Sequence, residues 1–193
     1  GKTVGKMLAD KLGIPFYNRE IITMASEDSG VNAMLFSDER LKGDFLTRLR
    51  AHYHGNAPVP NDSSKSYLKD EALFAYQVKI IRRLADQGPC VMIGRCADYV
   101  LDGTENLVRL FVYAEIEERI NKVREKGYFP EEDILKNIKR IDRERRDYYR
   151  YYTGKSWENL ENYDLMINTT KLSYDDMVEC VVDYLKMRGI LAK

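Results

Sequence analysis

The sequence is poor in the side chains that most often carry covalent or metal chemistry. Its 193 residues hold two histidines, His52 and His54, and three cysteines, Cys90, Cys96 and Cys180. The histidines have no third ligand type beside them and the cysteines show no metal-like spacing, so a structural zinc site is not expected. A Ser-His-Asp or Cys-His nucleophile has equally little to draw on. Three cysteines cannot all pair, which fits a reduced, cytoplasmic compartment. Long apolar runs are missing too. The longest, such as CVMIG (90–94) and LFVYA (110–114), fall far short of the roughly 20 residues that span a bilayer, so no membrane partner is expected. No signal peptide is visible. Net charge is also lacking, with 31 Lys and Arg against 31 Asp and Glu, and a long nucleic acid is therefore not the expected partner.

What remains is the composition of an ordinary folded domain, 44% apolar and 32% charged, and 1–193 reads as one domain. The charge is unevenly placed. In KNIKRIDRERRDYYRYYTGK (136–155) basic residues outnumber acidic ones by more than two to one. A local basic site in a neutral chain suits a small polyanion.

Helices alternate with short apolar strands along the chain. Helical spacing is expected over 3–13, 19–28, 38–52, 67–87, 115–126, 130–152 and 173–188. Strands are expected at 14–18, 90–94, 107–114 and 164–169, the apolar ones covered on both faces. This order is that of an α/β protein with a parallel sheet. The segment 29–66, which includes HGNAPVPNDSSKS, reads as a loop or mobile connection. A helix that opens at residue 3 has no strand feeding it.

Three motifs carry chemistry. Gly1-Lys2-Thr3 matches the end of G-x-x-x-x-G-K-[ST], in which backbone N–H groups cradle phosphates, the lysine reaches the β/γ-phosphates and the hydroxyl binds Mg²⁺. Gly94-Arg95 closes a strand, at the sheet edge where ligands of open parallel sheets bind, and an arginine there can clamp a phosphate bidentately. Arg140, Arg143, Arg145, Arg146 and Arg150 share one predicted helix, with Asp142 three residues from Arg145. About half of these arginines belong to an ordinary solvated face. Tyr148, Tyr149, Tyr151, Tyr152 and Trp157 are read as packing residues, and so is Cys96.

Together, GKTVGKMLADKLGIPFYN, GPCVMIGRCADYVL, the basic stretch 115–154 and NYDLMINTTKLSYDDMV resemble the cytidylate kinase-like P-loop kinases. The resemblance implies a three-layer α/β/α P-loop kinase fold: a five-stranded central parallel sheet whose first strand would precede Gly1, a mobile acceptor-side region at 29–66 and a lid at 140–160. It implies ATP and Mg²⁺ as cofactors, with Gly1, Lys2 and Thr3 at the ATP and Thr3 at the metal. It places Arg95, Asp142, Arg145 and Asn18 on the acceptor side, and Lys2, Arg140, Arg143, Arg145 and Arg146 at the transferring phosphoryl group. The implied reaction is ATP-dependent phosphorylation of a nucleoside monophosphate, CMP or dCMP. The alternatives are a kinase for another small phosphoryl acceptor and a non-catalytic nucleotide-binding regulator. Two departures bear on the base: Cys96 stands where cytidylate kinases usually carry Asp after Gly-Arg, and Asn18 stands where Asp is frequent.

Overall fold

The computed structural model describes residues 1–30 and 63–192. Most of the 29–66 connection, the helix expected at 38–52, and both histidines lie outside the described residues. Helix α1 (Lys2–Leu12) buries Val4, Leu8 and Ala9 on one stripe and ends at Gly13, whose φ of 65° lets its N–H return to the carbonyls of Ala9 and Asp10. The chain then turns into β1 (Phe16–Tyr17) and α2 (Glu20–Ser29). Helix α3 (Ser63–Asp86) begins four residues earlier than the expected 67, so 63–66 is helical rather than loop. Next come β2 (Val91–Met92), a one-turn α4 (Ala97–Val100) that periodicity does not show, β3 (Leu110–Tyr113) and α5 (Ile116–Glu125). The helix expected over 130–152 starts instead as a 3-10 turn (Glu131–Asp133) and continues as α6 (Ile134–Thr153). A second 3-10 turn (Leu160–Asn162) leads to β4 (Leu165–Asn168) and α7 (Tyr174–Met187).

All four expected strands form, each shorter than expected, and all pairing is parallel. They do not make one sheet. β1 pairs with β2, Phe16 opposite Val91, and β3 pairs with β4, Leu110 opposite Leu165 through Tyr113 opposite Asn168. Among the described residues each strand has a single strand neighbour, the strands stay mostly half-buried, and only Ile167 of them is fully covered. The expectation of strands covered on both faces is therefore corrected. Such coverage needs a neighbour on each edge as well as helices on each face.

Packing joins the two pairs. Ile21 and Ala25 of α2, Leu73, Ile80, Ile81 and Leu84 of α3, and Ala97 and Val100 of α4 form one core beside β1 and β2. A second core joins Val4 and Leu8 of α1 to Ile167 of β4 and to Met177, Val178, Val181, Val182 and Leu185 of α7. Val91 of β2 and Leu110 of β3 both pack against this second core, so α1 and α7 bridge the two sheets. At the entrance to β3 and β4, Asp164 accepts from the Arg109 backbone N–H at 2.7 Å and from its guanidinium at 3.3 Å. Burial alone would raise the Asp164 carboxyl; the Arg109 hydrogen bonds and charge outweigh it and hold the group below its usual range.

Candidate functional site

Helix α1 returns through Gly13 into β1, so its first turn lies at the end of the sheet where β1 finishes. The charges agree with this. Lys2 bears on Glu20, which follows β1. The Glu20 carboxylate accepts from the Asn18 backbone N–H at 2.8 Å. It sits below its ordinary range chiefly through hydrogen bonds from its own N–H and that of Asn18, with Lys2 adding to the effect. Gly1 caps α1 with no side-chain partner for the first N–H groups, and Lys2 and Thr3 are exposed. The start of α1 lies in the field of three cations from outside the helix, Arg145 of α6 and Lys122 and Lys126 from α5 and its end. Open N–H groups, a helix dipole and the fields of Lys2, Arg145, Lys122 and Lys126, the third of these paired with Glu118 at 3.1 Å, make this end of the molecule suited to an anion.

β2 ends in an unusual turn. Gly94, Arg95 and Cys96 have φ of 67°, 58° and 54°, three consecutive left-handed residues of which only the first is glycine. Each non-glycine residue there costs about 1–2 kcal/mol, so surrounding contacts must hold the turn. They are visible. Ala97 N–H closes onto the Gly94 carbonyl at 3.0 Å. Cys96 is 3% exposed and packs with Tyr148 and Tyr149 of α6, with Trp157 and Tyr152 against them. One turn further on, Asp98 accepts from the Tyr149 hydroxyl at 2.6 Å. Burial first, and this bond second, push the Tyr149 phenol far above its ordinary value, which keeps it a donor. The Arg95 guanidinium lies 6.0 Å from the centre of the Tyr148 ring. The expected packing roles of Cys96, Tyr148, Tyr149 and Trp157 are all observed; Trp157 also meets Phe111 edge-on at 5.1 Å.

The basic helix α6 divides its arginines. Arg140 donates to Glu144 at 2.7 Å and reaches Asn137. Arg146 donates to Glu158 at 2.7 Å. Arg143 is exposed and bears on Asp147, whose carboxyl burial pushes up while Arg143, Arg146 and Arg150 pull it down. Arg145 alone of these bears on the start of α1, and Asp142 lies beside it at 3.6 Å. The structure thus brings together Gly1, Lys2, Thr3, Asn18, Asp142 and Arg145. Arg95 is placed by Tyr148 of α6, three residues along that helix from Arg145. Arg140 and Arg146 are engaged by acidic neighbours.

Sequence reading passed over Arg119, Lys122 and Lys126. Their spacing of three and four residues lays them along one face of α5, the available signal. Arg119 donates to Asp142 at 2.8 Å.

In overall fold the chain is similar to the crystal structure of an uncharacterized protein from Eubacterium ventriosum. The TM-score is 0.67 at 21% identity, covering 96% of this chain and 91% of that one. No curated protein matches. The cytidylate kinase-like family matches residues 1–171, which run from the GKT turn through β4, and the chain belongs to that family.

Proposed function

We propose that the protein is an ATP-dependent nucleoside monophosphate kinase of the P-loop, three-layer type, and that its acceptor is CMP or dCMP. The observation that carries the reading is the left-handed Gly94–Arg95–Cys96 turn. A backbone held in a sparsely populated conformation at a strand's C-terminal end is a cost that positioning a functional side chain accounts for.

In-line phosphoryl transfer needs alignment and positive charge far more than covalent help. Lys2 would neutralise the β/γ-phosphates of bound ATP, and the Thr3 hydroxyl would be the protein group that holds Mg²⁺. One hydroxyl together with substrate phosphates is a donor set that suits Mg²⁺. MgATP, when bound, would supply the phosphoryl group to be transferred. Arg95 and Arg145 clamp the acceptor phosphate, and Asn18 and Asp142 shape its surroundings. Arg140, Arg143 or Arg146 reaches the transferring group; for Arg140 and Arg146 this requires releasing Glu144 and Glu158, a change that fits 140–160 as a closing lid. No general base is needed, because a phosphate oxygen of the acceptor is already anionic.

One observation favours a second reading, a kinase for a different small acceptor. Cys96 is buried among tyrosines, so the position where cytidylate kinases usually carry Asp offers no carboxylate to an incoming base. A single experiment addresses both. ADP release by the full protein with a panel of monophosphates should show preference for CMP or dCMP. Turnover restricted to another acceptor selects the second reading, and absence of turnover with every acceptor removes the kinase assignment. Arg95→Ala should raise the acceptor KM steeply with the fold intact; unchanged kinetics would take Arg95 out of the site.

A further inference from the structure

Asp142 stands between two arginines from different helices. Its side chain is 14% exposed, and both of its oxygens are taken by one nitrogen of Arg119 on α5, at 2.8 Å and 2.7 Å. Arg145 lies one turn further along α6 and approaches only to 3.6 Å, beyond hydrogen-bond length. An aspartate and an arginine three residues apart on a helix pair readily by themselves. Here the carboxylate is already engaged from α5. Arg145, at 54% exposure against 33% for Arg119, holds only a long ion pair to Asp142 and remains in the field that reaches the start of α1.

We propose that Arg119 is a positioning residue: by occupying Asp142 it prevents that carboxylate from capturing Arg145, so that the Arg145 charge stays available to a bound phosphate. Two guanidiniums around one carboxylate leave a net positive charge, and the geometry puts that charge on the arginine nearer the site. The same bond ties α5 to α6 and fixes the register at which Arg145 is presented. Removing Arg119 leaves Asp142 with Arg145 as its nearest partner and neutralises the cation the site uses. This inference rests on the phosphate-binding reading above, because it assigns Arg145 an anionic ligand, but it requires no particular acceptor base and no turnover.

The test measures binding of inorganic pyrophosphate to the full protein by calorimetry, beside turnover with ATP and CMP. Losing one favourable charge at the site's edge should weaken pyrophosphate by about tenfold in Arg119→Ala. The acceptor KM should rise in step while kcat moves less. Arg119→Lys, which keeps a cation on Asp142, should bind nearly as the unmodified protein does. The decisive variant is Arg119→Ala with Asp142→Asn. An uncharged amide at position 142 cannot capture Arg145, so pyrophosphate affinity should recover most of the loss, whereas a purely structural role for Arg119 makes the double variant no better than the single. If Arg119→Ala does not fold, Arg119→Gln against Arg119→Lys makes the same comparison, weakened against retained. Equal binding in that pair, no loss in Arg119→Ala, no recovery in the double variant, or no pyrophosphate binding by the unmodified protein overturns the proposal. The predicted binding pattern without turnover of any monophosphate would uphold it and overturn the kinase reading instead.

Discussion

Helices α6 and α7 are both amphipathic, yet different demands account for their sequences. In α7, Met177, Val178, Val181, Val182 and Leu185 are buried, and the Ser173 side chain caps the first turn by accepting from the Asp176 N–H at 3.1 Å. Burial accounts for the inner stripe and capping for the first turn, while the remaining positions face solvent. In α6 the buried residues cluster at the two ends, Ile134 and Ile138 at one and Tyr148, Tyr149 and Thr153 at the other. Between them run ion-paired arginines that are themselves well exposed, at 40% for Arg140, 54% for Arg145 and 43% for Arg146, with Glu144 and Asp142 mostly buried beneath the first two. Pairs of that kind contribute about 0–1 kcal/mol each, while closely spaced cations repel one another. Folding stability therefore accounts for the buried stripe of α7 and for the ends of α6, and accounts less well for the arginine-rich middle.

Substitutions should separate the two helices cleanly. The largest expected effect is on chemistry: Lys2→Ala should slow phosphoryl transfer by roughly a thousandfold, about 4 kcal/mol on the barrier, with an unchanged melting temperature because Lys2 is exposed. A melting temperature that falls with activity would make Lys2 a structural residue. Met177→Ala should do the reverse. Truncating a side chain at 0% exposure costs about 2–5 kcal/mol of stability, read by denaturant unfolding, with kcat and KM retained at temperatures where the protein stays folded.

Asp164→Asn should cost about 1–3 kcal/mol at neutral pH, since it takes the charged acceptor from Arg109. The sign of its pH dependence is fixed. The Asp164 carboxyl is held low in the folded protein, so its contribution is complete above the unfolded carboxylate pKa and is lost as pH falls through the folded one. The gap between the two proteins should close on acidification; a gap that widens there contradicts the Arg109 assignment. The smallest effect should come from Arg146→Ala, within about 0.5 kcal/mol of stability. Its kcat is the informative number: a fall at constant stability puts Arg146 at the transferring group, and no change confines it to Glu158.

Element order was legible because each strand is a short apolar run and each longer helix keeps its period; the one-turn α4 is too short to show one. The number of sheets was not, since an apolar run shows that a strand is buried without naming its partner. Gly94 announced a turn, but the two left-handed residues after it are not glycines, and what holds them is a tyrosine pair more than fifty residues away. Within the proposed site, the residues that sequence could pick out are those on a local motif, Gly1-Lys2-Thr3 and Asp142 with Arg145. Arg119 was hidden because its partner lies 23 residues downstream on another helix. Its likeness to any surface arginine of a charged helix gave nothing away.

Gly5 in the middle of α1 carries no chemistry, yet it sets a length. A methyl group there would stand 2.7 Å from the Ile93 side chain and 3.4 Å from Phe16 and Val91, so α1 rests on β1 and β2 as closely as backbone allows. Lys2 stands three residues before this contact on one segment, and Arg95 two residues after Ile93 on the other. The span between the two candidate phosphate-binding groups is thus gauged by an omitted side chain. A bulkier residue at position 5 must turn the Ile93 side chain aside or lift α1 from the strands, and only the second lengthens that span.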